Sequence, residues 1–141
     1  MGRYDGLLSV LGAVACATVL AIAVRLEPDP RGVGTHEGLG LAPCGFLQRT
    51  GKPCLSCGMT TAFANMARGR VGAALDANPY GVLLFLATCA GPFWCLASLR
   101  RRQSPLRFLS HPAARIVAPV AALLLLLNWG WMILRAAPPD R

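Results

Sequence analysis

The chain has 141 residues and a formal net charge of +8, and it is 55% hydrophobic but only 14% charged. A water-soluble domain carries about a quarter charged residues, so this chain has too little polar surface to cover itself in water, and membrane insertion is the simplest remedy. The positive charge does not point to nucleic acid: the arginines lie between apolar runs and at their ends, not along one helical face with interleaved aromatics.

The first apolar stretch, Leu7 to Leu26, carries no charge except Arg25. A helix of about 20 apolar residues crosses a bilayer core, so a first span is expected over 7–26. The rival reading is a cleaved signal peptide, because the triplets at 15–17 and 21–23 resemble small-residue cleavage sites. Against it, the run is longer than a usual signal core and Asp5 weakens the positive start.

Glu27 to Leu41 is rich in Pro, Gly and charge and reads as a surface loop. From residue 43 to 79 the character changes. Cys44 comes first, then Thr50-Gly51-Lys52-Pro53 as a turn, then Cys54, Cys57 and Gly58. Apolar recurrence at Met59, Phe63 and Met66 predicts a short helix running to about Arg68, with that face packed in the core. Its other side carries Thr61, Asn65 and Arg68, a stripe that Gly72 and Asp76 extend. Gly69 and Gly72 interrupt the helix, and a second short one is expected over Val71 to Ala77.

Asn78-Pro79 opens the second span, over about 80–99. An Asn side chain caps the first free amides, and proline suits the first helical position, where its missing donor costs nothing. Gly91-Pro92 predicts a kink, and Arg100, Arg101 and Arg102 end the span. The third span covers about 116–134. Pro119 sits in its first turn, Asn128 lies deep inside it as helix–helix glue, and Trp129 and Trp131 mark the interface near its end. The fold class is therefore an all-α membrane protein, one membrane domain over 1–141, with three transmembrane helices and one or two short amphipathic helices between the first and second.

Arg100, Arg101, Arg102, Arg107 and Arg115 crowd the connection between spans two and three, with no acid among them. Dense positive charge in a short loop stays in the cytoplasm, which places the N-terminus inside and the cysteine segment and C-terminus outside. Arg135 and Arg141 pull the other way.

Of six cysteines, Cys16, Cys89 and Cys95 fall inside spans and read as small apolar residues. Cys44, Cys54 and Cys57 lie outside them, with His36 upstream, and three readings stay open. A disulfide from Cys44 to Cys54 or Cys57 would tie the loop to the helix start, stabilising by roughly 2–3 kcal/mol in the chain-entropy model. A C-x-x-C just before a helix has its thiolate favoured by the helix dipole, so Cys54 and Cys57 could act as a redox pair with Cys44 as the resolving thiol. A zinc site wants four ligands, which Cys44, Cys54, Cys57 and His36 would supply, although a strong zinc signature pairs two such knuckles. The structural reading is preferred, and no cofactor is predicted. No Ser/His/Asp set, paired-carboxylate site or phosphate loop is present, and no acid or mid-membrane base lies within a span to couple transport to an ion. The expected partners are the lipid bilayer and other membrane proteins or a second copy of the chain, with no nucleic acid.

Cys44, then Thr50-Gly51-x-Pro53-Cys54-x-x-Cys57-Gly58-x-Thr60-x-Ala62, then Gly69, Ala74-Leu75 and Asn78-Pro79, together resemble a widespread family of small bacterial inner-membrane proteins of unknown function. The family pattern is roughly C-P-x-C-G-x-T-R-A-F, followed by Gly-Asp, Ala-Leu and Asn-Pro. On that likeness Cys54, Cys57, Gly58, Thr60, Asn78 and Pro79 are the motif residues. The resemblance implies a multi-span protein of the bacterial cytoplasmic membrane and supplies no substrate. Leu55 stands where Pro is usual, Thr61 where Arg is usual, and Arg70 where Asp is usual. The functional expectation is a structural or partner-binding membrane protein with the C-x-x-C-G segment as its folding or recognition element. The alternatives are a membrane thiol–disulfide oxidoreductase and a metal-binding membrane protein.

Overall fold

A computed structural model describes residues 4–107 and 112–136. In chain order it has α1 (Asp5–Arg25), a 3-10 turn (Thr35–Leu39), α2 (Gly45–Thr50), α3 (Met59–Met66), α4 (Val71–Ala77), α5 (Pro79–Arg100) and α6 (Ala114–Arg135). No strand occurs among the described residues. Helices α1, α5 and α6 are long and apolar enough to cross a membrane. At 1.5 Å per residue each extends about 30 Å, the thickness of a hydrocarbon core.

Helices α1 and α5 pack side by side through small residues. A Cβ on Gly12 would lie 3.1 Å from Cys95 Sγ, and one on Gly91 would lie 2.6 Å from Cys16 Sγ. The pairing of 12 with 95 and 16 with 91 makes the two helices antiparallel. Bare glycine backbone against a cysteine lets the axes approach closely, which is how helices associate where apolar burial alone gives no drive. Cys16 and Cys95 are thus packing residues, as their places in the spans suggest.

The short helices fold back against one end of this pair. Ala62, Ala74, Ala77 and Val82 form the core where α3, α4 and the start of α5 meet, with Met66 packed against them. Side chains this small allow three helices to converge, and Phe63 adds an edge-to-face contact with Phe85 of α5, ring centroids 5.4 Å apart. Helix α6 joins this end of the molecule through its last third. Much of the remaining surface of α1, α5 and α6 is exposed Leu, Val, Ile and Phe, which suits hydrocarbon surroundings.

Several expectations need correction. Besides the two short helices expected between the first and second long ones, α2 forms just ahead of the expected turn at 50–53, and Gly51 ends it as its left-handed C-cap. The segment 27–41 is not all surface loop: it contains the 3-10 turn, and Thr35 at the start of that turn is buried. Both faces of α3 are covered, the polar one more deeply than its apolar partner. Thr61 and Asn65 are buried, whereas Met59, Phe63 and Met66 are only partly so. The polar stripe turns inward because it has partners there. Thr61 Oγ1 meets Thr35 Oγ1 at 2.8 Å, and Asn65 donates to the Thr61 carbonyl. Arg68 donates to the Ala64 carbonyl and to the carbonyls of Ala23 and Val24 at the end of α1. Asp76 does not continue the buried stripe; it is exposed on α4 and pairs with Arg135 at 3.7 Å. Pro119 falls in the second turn of α6, because that helix begins at Ala114. Pro92 lies inside α5, which is helical on both sides of it.

Candidate thiol site

Cys44 is the N-cap residue of α2, and Cys54 and Cys57 lie on the turn leading into α3. That turn is held by backbone bonds from Cys57 N–H to the Cys54 carbonyl and from Met59 N–H to the Ser56 carbonyl. Gly58 closes it in the left-handed region, at φ 77°. A Cβ there would collide with the Ala77 carbonyl oxygen and lie 3.0 Å from that of Gly32, so only glycine fits both the conformation and the space.

Asn78 anchors the turn from below. Fully buried, it donates from Nδ2 to the Cys57 carbonyl at 2.9 Å and accepts on Oδ1 from Gly81 N–H at 3.0 Å, capping α5 as the sequence predicts. Asn128 of α6 joins the same junction. Its Nδ2 donates to Asn78 Oδ1 at 3.2 Å, and its Oδ1 accepts from Tyr80 N–H at 3.2 Å. Trp129 Nε1 donates to the Pro53 carbonyl at 3.0 Å. The helix–helix role expected for Asn128 is what the geometry presents. The sequence offered no signal for the Trp129 contact, which links residues 76 positions apart.

On this support the three sulfurs converge within 4.8 Å of one another. Cys57 Sγ lies 3.1 Å from Cys54 Sγ and 3.6 Å from Cys44 Sγ. All three are free thiols, and the closest pair is Cys54–Cys57 rather than either pairing with Cys44. Cys57 is buried, Cys54 and Cys44 half-buried. The environments push the neighbours apart. Burial raises the Cys54 thiol, but hydrogen bonds from Ser56 and Cys57 outweigh it and hold its pKa at about 7. Burial, then the adjacent Cys54, pushes Cys57 up to about 12. Ser56, 3.5 Å from Cys54 Sγ through its hydroxyl, is a site residue that the C-x-x-C pattern alone does not single out.

The thiols form one wall of a cavity of about 520 Å³. Thr60 and Gly58 of the motif also line it, as does His36, which lies on the lining but outside the three-sulfur cluster. Arg31, also on the lining, bonds Asp29 at 2.6 Å and Glu37 at 3.1 Å. The Arg31 guanidinium holds the Asp29 carboxyl below its usual range. The acids near the cavity are therefore already paired, and the nearest concentrated donor set is all sulfur. Of the remaining motif residues, Pro79 begins α5. Thr61 and Arg70, where the resembled pattern differs, are respectively buried against Thr35 and exposed.

A family model described as a protein of unknown function, DUF2752, matches residues 44–91. The match takes in the thiol segment and continues into the first half of α5. No curated protein and no solved structure matches the chain.

Proposed function

We propose that this chain is a multi-pass protein of the bacterial cytoplasmic membrane that holds a thiophilic metal ion on Cys44, Cys54 and Cys57. Its N-terminus and arginine-rich connection lie in the cytoplasm, with the thiol segment outside. The observation that carries the reading is the triangle of three unbonded sulfurs within 4.8 Å. A structural disulfide uses only two of the three sulfurs and the redox reading uses Cys44 only as a resolving thiol, whereas a metal ion engages all three at once. Zinc–thiolate bonds of about 2.3 Å in a tetrahedral fan set sulfurs roughly 3.7 Å apart. The 3.6 Å Cys44–Cys57 separation is already at that spacing, and the 3.1 Å Cys54–Cys57 separation needs only a small opening. An all-sulfur set selects zinc or monovalent copper over calcium, magnesium or manganese. His36, or a group from a partner, would approach the fourth position through the cavity. This reading takes up the metal-binding alternative rather than the preferred structural or partner-binding one, with the C-x-x-C-G segment holding a soft cation. This goes past the expectation of no cofactor.

The test is a zinc titration of the detergent-purified, reduced chain in competition with a chromophoric chelator. One equivalent per chain is expected, with affinity falling at least tenfold in each of Cys44→Ser, Cys54→Ser and Cys57→Ser. Binding no tighter than that of the triple serine variant would end the proposal.

The 3.1 Å approach of a half-buried to a buried sulfur supports a second reading, thiol–disulfide exchange. The Cys54 thiolate would attack a partner's disulfide, releasing one partner thiolate. Cys57 would then lose its proton and attack Cys54 Sγ, releasing the other. The Cys54–Cys57 pair is oxidised by two electrons and the partner's disulfide is reduced to two thiols. Mass spectrometry after exposure to oxidised glutathione tests this. A Cys54–Cys57 disulfide formed stoichiometrically in wild type, with Cys54-linked glutathione accumulating in Cys57→Ser, supports it; slow, non-selective modification of all three thiols counts against it.

A further inference from the structure

Far from the thiols, α5 and α6 part at their arginine-rich ends around a cavity of about 820 Å³. Phe93, Trp94 and Val117 contribute apolar walls, and Arg101, Ser104 and Arg107 line it where the two helices leave the spanning length. The walls are accessible: Phe93 is 76% exposed and Val117 59%. Trp94 is fixed, its Nε1 donating to the Pro105 carbonyl at 3.1 Å. The lining carries two arginines and no acid. In a bilayer such a gap fills with whatever matches an apolar cleft beneath a cationic mouth.

We propose that this crevice binds one phospholipid with an anionic headgroup, an acyl chain lying between α5 and α6 and the phosphate at Arg101. The site requires the membrane reading but not the thiol reading. General attraction of lipids to the basic end would use all five arginines equally; a built crevice depends on Arg101 and on open space beside Val117. An arginine near a membrane surface strengthens binding of an anionic lipid about fivefold.

The experiment is native mass spectrometry of the full chain in detergent, titrated with phosphatidylglycerol and phosphatidylcholine of matched chains. One phosphatidylglycerol should be retained with at least tenfold preference. Arg101→Gln should weaken it about fivefold. Arg115→Gln, outside the lining, should leave it within twofold. Val117→Trp fills the crevice with every charge kept and should abolish the single tight site. Equal retention of the two lipids, or a preference that Arg101→Gln and Val117→Trp leave unchanged, overturns the proposal.

Discussion

Asn78 is the residue on which most elements depend. Its amide caps α5, holds the Cys57 carbonyl and meets Asn128 of α6. Asn78→Ala removes a cap, costing about 1 kcal/mol, and strands a buried carbonyl for about 1–3 kcal/mol more. Thermal unfolding in detergent should register a loss of about 2–4 kcal/mol, and an unchanged midpoint would show that the junction carries no stability. Asn78→Asp keeps the acceptor facing Gly81 but loses the donor to Cys57, so it should loosen the thiol turn while α5 stays capped. Gly58→Ala combines a left-handed φ with a collision against the Ala77 carbonyl and should cost at least about 2 kcal/mol. Among the thiols, Cys54 sits near pKa 7 and half-exposed while Cys57 is buried and pushed up to about 12. Of these two, both are protonated below pH 7, and above it Cys54 becomes thiolate while Cys57 stays protonated until strongly alkaline pH. In metal-free protein, iodoacetamide at pH 7.5 should therefore modify Cys54 first, as read by peptide mass spectrometry. Equal rates at Cys54 and Cys57 would contradict the asymmetry.

At the scale of elements, the long helices were legible and their partners were not. Uninterrupted apolar length, Asn78-Pro79 and the arginine run mark α5 closely, because these signals are local. The inward turn of Thr61, Asn65 and Arg68 was not legible. Periodicity assigns apolar residues to the core, but here the inside of α3 meets Thr35 and the free carbonyls at the end of α1, which reward polar groups. Helix α2 has only six residues, too short for a periodic signal. The α1–α5 seam depends on Gly91 against Cys16. Gly91→Leu should drive the two helices apart and lower the unfolding midpoint, whereas Leu at Gly130, which has open space around it, should not. Comparable midpoints for the two variants would mean that the seam does not hold the fold.

For the whole molecule, the sequence carried the all-helical class and the three long apolar helices, and it gathered Cys44, Cys54, Cys57 and His36 as candidates. It left the disulfide, redox and metal readings open, since distances among residues 44, 54 and 57 are set by Gly58, Asn78, Asn128 and Trp129 through contacts no spacing encodes. The orientation rests on arginine placement, and a membrane-impermeant maleimide applied with a zinc chelator to intact cells should label Cys54 without permeabilisation; labelling only after lysis would reverse the topology. On the metal reading the fold brings three thiolates to one soft cation. X-ray absorption on the zinc-loaded chain tests it most directly. Three sulfur scatterers at about 2.3 Å are expected, falling to two in Cys44→Ser. A shell of nitrogen and oxygen, or a sulfur count that Cys44→Ser leaves unchanged, would contradict it.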